Sequence, residues 1–163
     1  MTAVEELGLR RALSDDAGLL YRIYASTRDE ELAAVPWDAA TKEAFLRMQF
    51  AAQDSYYRST FRNASYDLVV RGGEVLGRLY VDRGEQAWLV IDLALLPEQR
   101  GKGLGTLLLR RVQAEAAAAG KPVRLHVERF NPARRLYDRL GFRQIADEGV
   151  YLLLEWQPAP PRR

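Results

Sequence analysis

Three glycines, Gly101, Gly103 and Gly105, alternate between an apolar segment and the start of an amphipathic helical pattern. The apolar segment, Gln86–Leu96, has the composition of a central strand that is covered on both faces. Glycine lets a ligand approach the backbone closely and lets several N–H groups turn toward one point. Because the first amides of a helix lack intrahelical acceptors and lie at the positive end of its dipole, this loop predicts a pyrophosphate site.

The residues around the glycines exclude two other phosphate-binding loops. Arg100 and Lys102 add positive charge, but no Gly-Lys-Ser/Thr sequence follows them, as the ATP-binding loop requires. The dinucleotide-binding fingerprint needs glycine at position 106, where Thr106 stands, and a βαβ unit near the start of a longer fold. A glycine-rich turn without a ligand stays open at this point, because an isolated Gly-x-Gly is a weak signal.

Hydrophobic periodicity predicts a mixed α/β fold of order β-α-α-β-β-β-α-β-α-β-β. Ser14 offers an N-cap for the first helix, and Gly72-Gly73 suits the positive φ angles of a hairpin turn. Gly120 lies where the helix that opens at the glycine loop should stop. The predicted strands cover Leu7–Leu13, Tyr66–Arg71, Val75–Val81, Gln86–Leu96, Val123–Phe130, Phe142–Ala146 and Val150–Trp156. The predicted helices begin at Ser14, Asp38, Gly103 and Asn131.

Length and composition indicate one globular domain. A chain of 163 residues with 48% hydrophobic residues can bury a sizeable core, and we assign residues 1–156 to a single domain. Residues 157–163 are proline-rich and are predicted to be a disordered tail. No cysteine is present, which excludes disulfides, thiolate metal sites and a cysteine nucleophile, and we expect no metal. The segment Met1–Arg10 lacks signal-peptide features and no apolar run approaches the roughly 20 residues of a membrane helix. We therefore expect a cytoplasmic protein without membrane contact.

Charge is unevenly distributed along the chain. The first 98 residues carry a formal charge of −5 and the remainder carries +7. A basic half is compatible with nucleic acid or with a phosphorylated small molecule. Its basic residues are scattered among helix and strand positions, without aromatic residues interleaved for base stacking. The pattern favours the small molecule, and we predict no nucleic-acid partner.

Two motifs together resemble those of the GNAT acetyltransferase superfamily. The loop Arg100-Gly101-Lys102-Gly103-Leu104-Gly105 is similar to the acyl-CoA loop of that superfamily, Arg/Gln-x-x-Gly-x-Gly/Ala. Residues 131–142, Asn-Pro-Ala-Arg-Arg-Leu-Tyr-Asp-Arg-Leu-Gly-Phe, are similar to its second signature, Asn-x-x-Ala-x-x-Leu-Tyr-x-x-x-Gly-Phe. The order of elements matches over roughly Leu7–Trp156. The resemblance implies a GNAT-like fold whose mixed sheet is splayed between the fourth and fifth strands.

The same resemblance implies an enzyme, an N-acetyltransferase. It would transfer an acetyl group from acetyl-CoA, its co-substrate, to a primary amine by direct attack in a ternary complex. The acceptor would be a small-molecule or peptide amine, and a homodimer is an assembly common in the superfamily. The alternative is a non-catalytic acyl-CoA sensor on the same fold.

The resemblance also implies which residues bind the cofactor. The pyrophosphate would lie against the loop residues Arg100, Gly101, Lys102, Gly103, Leu104, Gly105 and Thr106. The backbone of Leu93, Ala94 and Leu95 would pair with the pantetheine arm. An amide near Leu95 would stabilise the tetrahedral oxyanion. Asn131 would bond the cofactor, cap its own helix, or do both.

Four residues are candidates for proton transfer. Tyr137 matches the tyrosine that many relatives use as the general acid, and the alternative is a tyrosine that only packs a short helix. Asp92 interrupts an apolar strand and is the first candidate for the general base, with a structural hydrogen-bond acceptor as the alternative. His126 and Glu128 lie two residues apart on the next strand, so their side chains face the same way. A lone histidine in a strand is often structural, and many relatives use a chain of waters instead of a fixed base.

The acceptor side is expected to lie within Thr27–Phe61, which the resemblance assigns to the substrate pocket. Its connecting loop contains Asp29, Glu30, Glu31 and Trp37. Acidic and aromatic side chains suit a cationic amine through charge pairing and cation–π contact. A solvated loop without a ligand is the alternative.

Overall fold

The computed structural model describes residues 6–160 of the chain. The first five residues of Met1–Arg10 and the last three of the predicted tail lie outside the described residues, whereas residues 157–160 have no regular secondary structure. No helix within residues 6–160 is both long and apolar enough to cross a membrane.

The strands and helices follow the predicted order, with one short helix added. The described residues also contain two 3₁₀ turns, Ser14–Asp16 and Pro97–Gln99. The strands are β1 (Gly8–Arg11), β2 (Ser65–Arg71), β3 (Glu74–Arg83), β4 (Trp88–Leu95), β5 (Val123–Glu128), β6 (Arg143–Asp147) and β7 (Tyr151–Trp156). The helices are α1 (Ala17–Ser26), α2 (Asp29–Ala33), α3 (Ala39–Thr60), α4 (Leu104–Ala118) and α5 (Arg134–Arg139).

Seven strands form one mixed sheet in the order β1-β2-β3-β4-β5-β7-β6. β1 pairs with β2, and β7 with both β5 and β6, in antiparallel fashion. The β4–β5 pair is parallel and covers only Trp88–Val90 opposite Val123–Leu125. β5 continues to pair with β7 as far as Glu128, so β4 leaves its ladder with β5 while both strands still extend. The predicted α/β fold class is confirmed, and the short parallel ladder is what a sheet splayed between these strands requires.

The described residues form two compact units. The first comprises the described residues up to Tyr80 together with Asp92–Gln99, and the second comprises Val81–Ile91 and the described residues from Arg100 onward. Each unit has its own buried apolar residues, such as Ile23 and Leu68 in the first and Leu108, Val123 and Leu152 in the second. The assignment of residues 1–156 to a single domain stays a prediction.

Local capping explains where the structure agrees with the predicted boundaries and where it differs. Gly72 and Gly73 have φ angles of 57° and 79°, so the predicted hairpin turn is confirmed. Asp38 caps α3 by accepting a hydrogen bond from the Thr41 amide at 2.7 Å. The Ser14 cap is wrong: α1 begins at Ala17, and the carboxylate of Asp16 accepts the Leu13 amide at 2.7 Å. The Asp16 carboxylate also forms an ion pair with Arg10, which the neutral hydroxyl of Ser14 could not form.

Candidate functional site

The glycine loop has the backbone geometry that an anion site needs. Gly101 and Gly103 have φ angles of 74° and 80°, in the left-handed region that favours glycine. Gly103 is the N-cap of α4, and the Leu107 amide donates to its carbonyl at 3.1 Å, the first bond along the helix. The amides of residues 104–106 precede that bond and therefore have no acceptor within the helix. They lie at the positive end of a helix of 15 residues.

The loop is also open and positively charged. Arg100, Gly101, Lys102 and Gly103 are exposed, whereas Leu104 is buried and anchors the start of α4. An added Cβ at Gly105 would lie in ordinary contact with the Leu136 side chain, 3.8 Å away, so this glycine is not required by space. The requirement for glycine is stricter at Gly101 and Gly103, because both have positive φ angles.

Asn131 and Tyr137 belong to the segment that precedes and forms α5. The side-chain oxygen of Asn131 accepts a hydrogen bond from the Ala133 amide at 2.8 Å, which closes a local turn. The predicted helix cap at Asn131 is wrong, because α5 begins at Arg134 with Ala133 as its N-cap and without a side-chain cap. Tyr137 is half-buried, and its ring meets the edge of Phe142 with centroids 6.0 Å apart. The end of α5 is held by a residue that the sequence did not single out: buried Gln113 of α4 donates to the Leu140 carbonyl at 2.9 Å.

His126 and Glu128 share the exposed face of β5. They alternate with the buried residues Leu125 and Val127, as the strand periodicity predicts. The Nε2 atom of His126 lies 3.2 Å from a carboxylate oxygen of Glu148, a partner that the sequence did not indicate. These two groups form an ion pair only when the imidazole is protonated.

Asp92 lies in a hydrogen-bonded network within the first unit. Arg78 of β3 donates to both of its oxygens, from Nε at 3.2 Å and from Nη2 at 2.8 Å. The Tyr57 hydroxyl donates to Asp92 Oδ2 at 3.1 Å, and Arg78 Nη2 also donates to the amide oxygen of Gln53 at 2.8 Å. These contacts support the alternative in which Asp92 is a structural hydrogen-bond acceptor.

Arg78 is the centre of this network and was missed in the sequence. Its side chain is 2% exposed, against 16% for Asp92. Burial lowers the pKa of Arg78, but the Asp92 carboxylate together with the hydroxyls of Tyr80 and Tyr57 outweighs that effect, so the pKa is raised. The sequence did contain an indication: a single arginine between the apolar residues Leu76 and Leu79 of β3 predicts a buried counter-ion.

The backbone of Leu95 is turned away from β3. The carbonyl oxygen of Ala94 lies against Gly77 of β3, and the Leu96 amide donates to the Leu76 carbonyl of the same strand at 2.9 Å. A trans peptide group points its C=O and its N–H to opposite sides, and no cis peptide occurs in the described chain. The N–H and the C=O of Leu95 therefore both face the opposite edge of β4.

The predicted acceptor segment is partly helical. Asp29, Glu30 and Glu31, expected in a loop, form the first turn of α2, where negative charge complements the helix dipole. Arg28 donates to Glu31 at 3.3 Å. Trp37 is 44% exposed, and its ring meets that of Phe45 edge-on with centroids 5.4 Å apart.

Comparison with solved structures finds the same fold in several acetyltransferases. The chain aligns with the PaiA N-acetyltransferase of Thermoplasma acidophilum in complex with coenzyme A at 18% identity and a TM-score of 0.71, covering 93% of this chain and 99% of that one. An acetyltransferase of Thermus thermophilus aligns at 23% identity and a TM-score of 0.68, covering 96% and 99%. The ribosomal-protein-S18-alanine N-acetyltransferase of Escherichia coli aligns at 16% identity and a TM-score of 0.64, covering 96% and 97%.

Sequence comparison identifies the family. No curated protein sequence matches this one. The family model described as "Acetyltransferase (GNAT) family" matches residues 20–142, which include β4, the glycine loop and α5. Because that match covers well over half of the 163 residues, the chain belongs to the GNAT acetyltransferase family.

Proposed function

We propose that this protein is an N-acetyltransferase that transfers the acetyl group of acetyl-CoA to a primary amine by direct attack within a ternary complex. The observation that carries the proposal is the loop at the start of α4, where two left-handed glycines precede three amides without intrahelical acceptors. Membership of an acetyltransferase family and the coenzyme A bound to the PaiA protein, a structural neighbour, support the same cofactor.

In this proposal, backbone groups of the chain make most of the contacts with acetyl-CoA. The amides from Gly101 to Thr106 receive the pyrophosphate, and Arg100 and Lys102 add positive charge. The backbone of Leu93, Ala94 and Leu95 pairs with the amides of the pantetheine arm, with the Leu95 N–H reserved for the acetyl carbonyl. Asn131 contacts the cofactor in addition to its turn.

The chemistry is acyl transfer. The amine nitrogen attacks the thioester carbonyl carbon and forms the C–N bond, and the C–S bond then breaks. The oxyanion that forms between these events accepts a hydrogen bond from the Leu95 amide, a contribution of about 3 kcal/mol in comparable enzymes. Tyr137 gives its proton to the departing thiolate as general acid. The remaining proton leaves the attacking nitrogen.

The route of that last proton depends on Asp92, His126 and Glu128. Asp92 already accepts two hydrogen bonds from Arg78 and one from Tyr57, which suits a structural acceptor in this network. We therefore propose that Asp92 orients Tyr57 and Arg78 and that water carries the proton away. Among the side chains, His126, which lies beside Glu148, and Glu128, on the same face of β5, remain the candidates for a direct acceptor.

The acceptor would lie along Thr27–Phe61, where the face of Trp37 and the acidic start of α2 favour a cationic amine. Cytoplasmic location and homodimer formation remain predictions. A sensor that binds acetyl-CoA without turnover is the alternative that the assay below separates.

The loop is tested by comparing two glycines with the same backbone and different places in the fold. Gly103 (φ 80°) and Gly73 (φ 79°) both leave open space for a Cβ, so Gly103→Ala and Gly73→Ala impose nearly equal strain. An L-residue in this conformation costs about 1–2 kcal/mol. We expect Gly103→Ala to raise the Kd of acetyl-CoA by about tenfold, measured by calorimetry, while Gly73→Ala loses similar stability and binds normally.

A panel of primary amines, assayed by release of the CoA thiol, then tests catalysis. Wild-type protein that binds acetyl-CoA but releases no thiol with any amine would support the sensor and contradict the enzyme. A Gly103→Ala protein that binds as tightly as wild type would show that the loop is not the pyrophosphate site.

A further inference from the structure

β3 and β4 approach each other unusually closely at one point. A Cβ built on Gly77 would lie 2.2 Å from the carbonyl oxygen of Ala94 and 2.9 Å from the Cα of Leu95. Both neighbours are backbone atoms, so no side chain can move aside to make room. Gly77 is buried, between the buried residues Leu76 and Arg78.

The close approach involves the peptide group whose orientation matters in the proposed reaction. The Ala94 carbonyl and the Leu95 amide belong to the same planar group, so they rotate together. With the carbonyl oxygen directed at Gly77, the N–H of Leu95 is directed to the other edge of β4. A methyl group at position 77 would push the carbonyl away from β3 and turn this N–H with it.

We infer that Gly77 is a positioning residue, whose missing side chain lets the Ala94–Leu95 peptide group aim the Leu95 amide at the thioester carbonyl of acetyl-CoA. The inference rests on the proposed acetyl transfer, and it adds a residue of β3 to the parts of the chain on which that reaction depends. Gly77 itself touches neither the cofactor nor the amine; it acts through β4.

The size of the expected effect follows from the distance. The carbonyl oxygen must retreat by roughly 1 Å before a carbon atom fits beside it. A misplacement of about 1 Å at a reacting group can cost about 100-fold in rate, and loss of one oxyanion donor costs about 100-fold to 1,000-fold in kcat. Gly77→Ala should therefore lower kcat by about 100-fold. The Kd of CoA, which has no acetyl carbonyl, should change far less than kcat.

Two other glycines separate positioning from general damage. Gly84, after the end of β3, has the same kind of conflict, because a Cβ there would lie 2.6 Å from the Ala87 carbonyl oxygen. Gly84→Ala should lower stability in urea without the loss in kcat. Gly8 of β1 has room, with its closest neighbour at 3.7 Å, and Gly8→Ala should leave both quantities unchanged.

The experiment measures kcat, the KM of the amine and the Kd of CoA for wild type and the three variants, each with its urea midpoint. A folded Gly77→Ala protein with wild-type kcat would overturn the inference, as would an equal loss of kcat in Gly84→Ala. If the wild type transfers no acetyl group to any amine, the proposed function fails instead.

A second measurement decides the matter if Gly77→Ala does not fold or the wild type is inactive. Backbone amide resonances of the ¹⁵N-labelled wild type are recorded with acetyl-CoA and with CoA. The Leu95 amide should differ between the two ligands, since only one carries the carbonyl. The Leu96 amide, bonded to Leu76, should not differ. Identical Leu95 resonances in the two complexes would refute the orientation inferred for this amide.

Discussion

Removing the Asp92 carboxylate should destabilise the protein more than removing its partner, Arg78. Asp92→Ala takes away the acceptor of two hydrogen bonds from Arg78 and one from Tyr57. Arginine cannot release its proton at accessible pH, so a side chain that is 2% exposed would keep a full charge without its counter-ion, beside the Gln53 amide oxygen and the Tyr80 ring. Loss of one member of a buried ion pair costs about 3–5 kcal/mol. Because Asp92 is 16% exposed and water can reach the site, the lower end, about 3 kcal/mol, is expected.

The reverse change has a different consequence. Arg78→Met leaves a carboxylate that still accepts from Tyr57 and reaches solvent, so its cost should be about 1–3 kcal/mol. The double variant, Arg78→Met with Asp92→Leu, removes both charges together. Replacing a buried ion pair by apolar residues is often neutral or stabilising, so the double variant should be more stable than Asp92→Ala.

Urea unfolding followed by tryptophan fluorescence measures these free energies, since the chain has three tryptophans. The control is an ion pair on the surface of α3: Arg47 and Glu43 lie 3.0 Å apart with side chains 60% and 58% exposed. Glu43→Ala should cost no more than about 0.5 kcal/mol. An Asp92→Ala cost as small as that of Glu43→Ala would contradict a buried charge left without its counter-ion, as would a double variant that loses the sum of both single changes.

Two further predictions concern catalysis and pH. Tyr137→Phe should lower kcat by about 100-fold or more with the Kd of acetyl-CoA unchanged, whereas Tyr21→Phe, in the aromatic packing of α1, should keep wild-type kcat; equal rates for both would remove Tyr137 as the acid. Hydrogen bonds from Arg10 and from the Leu13 amide lower the pKa of Asp16, so its contribution to stability is complete above the unfolded value of about 4 and disappears as the pH falls through the lower folded value. Urea midpoints at pH 7 and pH 3 should therefore differ less for Asp16→Asn than for wild type, and an unchanged difference would contradict this role of Asp16.

Regular elements were predictable where the signal was local. The hairpin at Gly72-Gly73 and the stop of α4 before Gly120 depend on positive φ angles that glycine adopts most readily. The start of α3 depends on Asp38 bonding an amide three residues away. The end of α3 at Thr60 has no such local signal, and Tyr57 in its last turns bonds to Asp92, 35 residues along the chain. A distant contact leaves no local pattern to read.

The candidate site divides in the same way. The backbone conformation of the glycine loop was predictable because it depends on consecutive residues. The partners of Asp92 and His126 were not, because Arg78 is 14 residues from Asp92 and Glu148 comes from the segment beside β7. A lone charge in an apolar strand indicates that a partner must exist, but it does not say which residue supplies it.

The amino-acid sequence by itself determined the family motifs, the order of strands and helices, and the glycine spacing of the loop at α4, since each depends on residues that are neighbours in the chain. Only the tertiary structure decided which groups meet. It brought Gly77 against the Ala94 carbonyl, gave Asp92 a buried guanidinium and turned the Leu95 amide away from β3. Such contacts join strands and helices that are distant in sequence, and their distances follow from packing the whole sheet rather than from any local preference.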